Sequence, residues 1–320
     1  MLSTNQLTTL RKSSSSFCLS SSLAQHNTLE KAIFLREASA GKWTKVAAIL
    51  TLLAGMVVVQ LAIPAPAAAL QTTVVQSPPT SWNTERTKGA EAHCPDGQFV
   101  VGGGAATLNE GDQQVIMLTH LIPSHTPAED FYFAAAAAPP GFNGAWYMWA
   151  YAVCAPDADR PDGYVIVNNR TPSNQSQQFQ QVLVNCPGDL RVLGTGANVS
   201  DSSGEIGIQL ARSSGPRDIA RATGREYRPY GAPWRVTAIA ICAAPLANTT
   251  TASNVANGSS VAVGCPGGRV AHGVGGGGSL SDSGRSFLRW VQPYLGGATV
   301  QMTGLPVGGV AAQAICAPFA

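Results

Sequence analysis

From residue 70 onward the apolar positions of the chain come in short runs. They are QFVV, QVIMLTHLI, FYFAAAAA and AWYMWAYAV, then YVIVNN, QQVLVN, RVLG, EIGIQLAR and WRVTAIAI, then VAVG, FLRWVQP, ATVQMTG and VAAQAI. Runs of this length, rich in β-branched and aromatic residues and separated by breakers such as NEGD, SDSSG and SDSG, predict β-strands. No segment in this region sustains a 3.6-residue apolar period between helix caps. FAAAAA is the ambiguous run, because alanine favours helix. It is short, PPG follows it, and it aligns with strands elsewhere, so it reads as a strand.

The runs fall into three copies of one pattern. Cys94, Cys186 and Cys265 each precede a proline: Pro95, Pro187 and Pro266. Glycines follow at the eighth and tenth positions: Gly102 and Gly104, Gly194 and Gly196, Gly273 and Gly275. Each copy closes on Ala-x-Cys-Ala around Cys154, Cys242 and Cys316. Such a register is an internal repeat, which takes precedence over any local motif. The repeats span 70–156, 160–245 and 246–320, and the polar, turn-rich stretches DADRPDGY and LANTTTASNVANGSS between them read as connectors or short exposed strands, not long flexible linkers.

Residues 1–69 form a leader. Lys42 and Lys45 precede the apolar run VAAILTLLAGMVVVQLAI at 46–63, and PAPAAAL follows with small residues suited to cleavage after Ala69. That order describes a secretory signal, and it places the chain outside the cell or at its surface; an uncleaved run would anchor it in a membrane instead. The low-complexity stretch before it suggests a true start near Leu35. Of seven cysteines only Cys18 lies in the leader. The other six, two per repeat, read as disulfides in an exported chain, and the repeat selects Cys94–Cys154, Cys186–Cys242 and Cys265–Cys316. Each bridge closes a loop worth ~4 kcal/mol in the chain-entropy model.

The expected fold is therefore all-β: one domain, 70–320, of three disulfide-stapled repeats. About four strands per repeat suggest three sheets around a pseudo-threefold axis, burying their inner faces together as a β-prism; a β-trefoil-like closed arrangement is the alternative. The Cys-Pro-x-Gly opening, the Gly-x-Gly and the Ala-x-Cys-Ala close resemble a group of secreted bacterial three-repeat proteins. Repeat two departs from it, with CPGD at the opening. The opening also resembles that of the vitelline membrane outer layer protein family, whose threefold repeat implies a β-prism. Asp201 and Asp282 partly echo that family's acidic turn, although the second cysteine here lies further from the first.

The chemistry motifs are sparse. GVGGGG at 273–278 fits G-x-G-x-x-G, but turn and strand follow where a nucleotide loop needs a helix. The glycines read instead as strand positions where backbones approach closely. His93, His120, His125 and His272 do not fall at metal-ligand spacing, and neither HExxH nor G-x-S-x-G occurs. The carboxylates are scattered, so no catalytic residue, metal or cofactor is assigned and the chain is read as a non-enzyme. Its net charge is +2, but the leader holds six basic and two acidic side chains, leaving −2 for the rest with Lys88 its single lysine. That excludes the basic stripe that nucleic-acid binding requires. Arg212, Arg217, Arg221, Arg225 and Arg228 read as a solvated loop, with an acidic glycan as the rival. Trp146 and Trp234 share a register eight residues before their closing cysteines, which Gly308 breaks in repeat three, so they read as core. Trp149, Tyr227, Tyr230, Trp290 and Tyr294 do not repeat. The candidate ligand residues are Trp290, Tyr294, Tyr227, Tyr230, Asp201 and Asp282. The expected role is extracellular binding, with a glycan as the sharpest partner. An envelope protein contacting other proteins is the second reading, and a secreted hydrolase the third.

Overall fold

A computed structural model describes residues 70–111, 115–200, 204–215, 217–278, 285–304 and 309–318. The leader with Cys18, the candidates Asp201 and Asp282, and Gly308 lie outside the described residues. Within them the chain is all-β, with eighteen strands and two short 3-10 turns. Repeat one supplies β1 Thr73–Gln76, β2 Thr87–His93, β3 Gln98–Asn109, β4 Met117–His125, β5 Asp130–Ala137 and β6 Trp146–Pro156. Repeat two supplies β7 Val165–Arg170, β8 Phe179–Asn185, β9 Arg191–Ser200, β10 Ile206–Ser214, β11 Ile219–Glu226 and β12 Arg235–Ala243. Repeat three supplies β13 Thr250–Asn257, β14 Ser260–Gly264, β15 Val270–Gly278, β16 Ser286–Tyr294, β17 Gly297–Gly304 and β18 Gly309–Ala317.

These strands form three six-stranded antiparallel sheets, ordered β1-β6-β3-β16-β17-β14, β2-β5-β4-β9-β12-β7 and β13-β18-β15-β10-β11-β8. One plan governs all three. The first, sixth and third strands of one repeat lie beside the fourth, fifth and second of another. Every repeat therefore divides its strands between two sheets, and every sheet is shared by two repeats. Each repeat has six strands where the sequence suggested four. Five strands lie outside the apolar runs: β1, β2, β11 and β13 lack the apolar alternation that signals a strand, although β13 falls in a connector that allowed a short exposed strand, and β15 is mostly glycine. In β2 the inward positions are Lys88, Ala90 and Ala92. In β11 they include Ala220 and Ala222.

The sheets do not meet over one central core. The two half-sheets of a repeat face each other, and each repeat encloses its own lobe of one connected cluster. Trp146 and Trp234 are fully buried at equivalent places in the first two lobes. The Trp146 indole N–H donates to Glu85 O, and that of Trp234 donates to Gln177 O and to the buried Glu226 carboxylate. Lys88 points inward too. Its ammonium lies over the Trp146 ring and donates to Ser81 O and Asn83 Oδ1, which satisfies a charge that burial opposes. The disulfides join Cys94–Cys154, Cys186–Cys242 and Cys265–Cys316, with Cα atoms 5.6, 5.7 and 5.7 Å apart. Each ties the residue just after the second strand of a repeat to its sixth strand, and so crosses between two different sheets.

The centre belongs to glycine. A Cβ placed on Gly102 would lie 3.1 Å from the Gly273 Cα, one on Gly273 2.8 Å from the Gly194 Cα, and one on Gly194 3.1 Å from the Gly102 Cα. It would also collide with the carbonyl oxygen of His272, Leu193 or Val101 respectively. Thus β3, β9 and β15 meet backbone to backbone, each at the β-bulge that precedes its glycine. The bulge residues are Val101, Leu193 and His272. His272 is fully buried, and neither ring nitrogen has a partner. Burial lowers its pKa from 6.5 to about 4, so the ring is neutral at physiological pH.

Two outcomes are expected. Alanine at Gly102, Gly194 or Gly273 forces backbone apart and lowers unfolding free energy by about 3 kcal/mol in urea titrations. Gly231→Ala, with open space around it, leaves stability nearly unchanged. For His272, the unfolded chain takes up a proton below pH 6.5 that the folded chain refuses until about pH 4. Stability is therefore lost as pH falls through that window, by about 3 kcal/mol at its acid end. His272→Val, which copies Val101, should remove this loss and add about 1 kcal/mol at pH 7 by deleting two unsatisfied nitrogens. Unfolding titrations of both proteins at pH 7 and 4.5 measure the difference.

Candidate functional site

The sheet β1-β6-β3-β16-β17-β14 carries an aromatic outer face. Along β6, WYMWAYAV alternates strictly: Trp146, Met148 and Ala150 point into the core, while Tyr147, Trp149 and Tyr151 point away from it. Trp290 follows on β16. Registered with Ala106 on its other side, Trp149 reaches across that small side chain to meet Trp290 edge to face, with centroids 5.6 Å apart. Tyr147 lies 5.3 Å from Trp149, and Trp82 lies 5.2 Å from Tyr147. The result is a continuous band of rings, Trp82, Tyr147, Trp149 and Trp290, with Tyr151 at its side.

Hydrogen bonds fix these rings. The Trp149 indole N–H donates to the Tyr151 hydroxyl, and the Trp290 indole N–H donates to Gln292 Oε1 at 2.9 Å. The Tyr294 hydroxyl donates to Val263 O at 3.0 Å while its ring stays 40% exposed. Burial pushes the Tyr151 phenol above its ordinary pKa, so it remains a neutral donor and acceptor. Beside the band lies an open cleft of about 610 Å³. One wall is β1 with Thr73, Val74 and Gln76, the other is the β16–β17 turn with Gln292, Tyr294 and Leu295, and Tyr151 stands between them.

The face occurs on one sheet of three. Register places Thr237 and Ala311 where Trp149 stands, His120 and Leu210 where Trp290 stands, and Ile239 and Gln313 where Tyr151 stands. The structure thus brings Trp290 and Tyr294 together on this sheet and adds four rings that sequence reasoning did not select: Trp82, Tyr147, Trp149 and Tyr151. The period-two aromatics of β6 were the signal for three of them. Tyr227 and Tyr230 lie elsewhere, after β11. Tyr227 packs 6.1 Å from the buried Phe287. The Tyr230 N–H donates to Glu226 Oε2, and its carbonyl accepts from Ser176.

A second cleft, about 440 Å³, lies near the Cys94–Cys154 bridge. His125 Nδ1 sits 2.9 Å from Asp130 Oδ2, and Arg160 Nη1 lies 3.4 Å from His125 Nε2. Asp130 is buried and also accepts the Val100 N–H, the amide just before the repeat-one bulge. The carboxylate serves the bulge as well as the imidazole, and among the described residues no hydroxyl or thiol nucleophile bonds to His125. The geometry therefore resembles a structural hydrogen-bonded pair more than an acyl-transfer site.

Among the described residues no group of three or more His, Cys, Asp and Glu side chains is placed to hold a metal ion. Compared with models of protein families and with curated proteins, the chain matches none.

Proposed function

We propose that this domain is a non-catalytic binding module of the cell exterior that takes a carbohydrate chain along the band Trp82–Tyr147–Trp149–Trp290 and into the adjoining cleft. One observation carries the reading. Three sheets share a single backbone plan, yet the continuous band of four rings occurs on one of them, with Trp149 and Trp290 held by hydrogen bonds, where the β2–β5 sheet presents outwardly only the two half-buried phenylalanines Phe131 and Phe133. Pyranose rings present apolar C–H faces and equatorial hydroxyls. Flat aromatic faces flanked by Gln76, Gln292 and Thr73 match both, and rings already fixed lose little entropy on binding. We read the arrangement of three shared sheets as a pseudo-threefold β-prism whose corners are the lobes. Three disulfides suit an oxidising exterior, which accords with 46–63 acting as an export signal.

The test is titration of the oxidised protein with a panel of neutral glycans and cell-wall polysaccharides, followed by tryptophan fluorescence. At least one glycan should bind saturably and quench fluorescence. Trp149→Ala and Tyr294→Ala should each weaken it about tenfold, as the loss of one stacking ring would, with the thermal unfolding of Tyr294→Ala unchanged. If no glycan binds, or both variants bind as well as the parent, the reading is wrong and a protein-contacting envelope role takes its place.

A further inference from the structure

Of the five arginines read as a loop, Arg217 and Arg228 lie in the turns flanking β11, but the other three do not. Arg212 stands on β10, and Arg221 and Arg225 on β11, in the sheet β13-β18-β15-β10-β11-β8. Arg212 and Arg221 are register partners, directly opposite one another. Both face away from the core, since the intervening Ala220 and Ala222 are the buried ones. Like charges so placed repel, and among the described residues no carboxylate forms an ion pair with either. Among the described residues the one arginine–carboxylate ion pair is Arg160–Asp157. Burial, and then Arg212, hold the Arg221 guanidinium below its ordinary pKa.

The same patch holds a run of unmet hydrogen-bonding groups. Arg212 Nε, Arg221 Nε, Gln209 Nε2 and Thr223 Oγ1 are all buried without a partner, and all sit on β10 or β11. Every one of them can donate a hydrogen bond. Around them Gln181 accepts from Arg221 Nη2, Gln209 Oε1 accepts from Arg225 Nε at 3.4 Å, and the Arg225 guanidinium lies 5.3 Å over Phe179. A patch of donors with two opposed guanidiniums lacks an acceptor with negative charge.

We infer that this outer face of β10 and β11 is an oxyanion site, taking the sulfate or carboxylate groups of an acidic polysaccharide between Arg212 and Arg221. The planar guanidinium forks pair bidentately with such groups, and one anion between them turns the repulsion into two attractions. The rest of the chain beyond the leader is net negative, which opposes a long nucleic-acid backbone but not a short anionic glycan segment. That the anion belongs to a polysaccharide rests on the reading of the aromatic face; the oxyanion chemistry does not, because it stands on a different sheet.

The experiment follows the Nε–H resonances of the intact protein by NMR during titration with sodium sulfate, against sodium chloride at matched ionic strength. Titrations with a sulfated heparin hexasaccharide, oligogalacturonate and duplex DNA follow. Saturable shifts of the Arg212 and Arg221 signals with sulfate are expected, with at least tenfold tighter binding of one acidic oligosaccharide. Arg212→Gln and Arg221→Gln should each weaken that binding at least tenfold. Arg212→Lys keeps the charge but loses the fork, and should weaken binding several-fold with unfolding behaviour intact. Acidic oligosaccharide binding without neutral glycan binding would sustain this site while removing the aromatic one. The inference fails if neither sulfate nor any acidic oligosaccharide gives saturable shifts, or if the glutamine variants bind like the parent. It fails equally if DNA binds as tightly as the oligosaccharides.

Discussion

The structure hangs on a three-way contact between backbones. Gly102, Gly194 and Gly273 lie so close to one another that no side chain fits between β3, β9 and β15, and each bulge carbonyl projects over the next repeat's glycine. The constraint is cyclic: each repeat depends on the glycine of another. It also explains why the third strand of every repeat can pair with the fourth strand of a neighbour. The second glycine of each motif, Gly104, Gly196 or Gly275, admits the backbone of Val291, Leu121 or Ala211 from that neighbouring strand. A Gly-x-Gly used in this way is a packing element rather than a phosphate loop, and all nine residues of β15 are buried.

With the centre given over to backbone, apolar burial moves outward into three lobes, each small. Small cores gain little from area alone, and each disulfide spans its lobe from one sheet to the other, where it resists separation of the two layers. The three bridges together link every pair of sheets. Lys88 and Glu226 enter the interior with partners. His272 enters without one. It occupies the bulge position that Val101 and Leu193 fill with hydrocarbon, so the scaffold tolerates the ring only in its neutral state.

The strands that were legible in the sequence are those with bulky inward residues. Period two is visible in WRVTAIAI and ATVQMTG because the inward Trp234 and Val236, or Val300 and Met302, alternate with polar residues. It vanishes in TKGAEAH and IARATGRE, where alanine or lysine takes the inward places. The repeat made the disulfide pairs readable, since equivalent cysteines must close equivalent loops. How the repeats share sheets was not readable, because strand order across repeats is set by glycine contacts between residues some 80 to 170 positions apart. Trp290 and Tyr294 stood out by failing to repeat. Trp149 failed to repeat as well, but its pairing with Trp290 depends on β3 lying between β6 and β16, and only the folded sheet supplies that.

A threefold scaffold separates what holds the protein together from what it presents. Whatever recurs at equivalent positions, such as the glycines, the cysteines and the buried tryptophans of two lobes, answers to the shared backbone. Whatever occurs once is free of that demand. By this measure the aromatic band and the opposed arginines are both decorations, one apolar and the other cationic, on different sheets. Neither is needed to form its sheet, because Thr237 and Ala311 replace Trp149, and Asn169 and Asn254 close the outer edges of their lobes through hydrogen bonds to Leu183 O and Ala262 O. Exposed rings and an unbalanced guanidinium pair cost solubility and stability in a free protein. Their retention on single sheets is intelligible if a ligand covers each, and a polymer that offers both sugar faces and acidic groups answers both with one class of molecule.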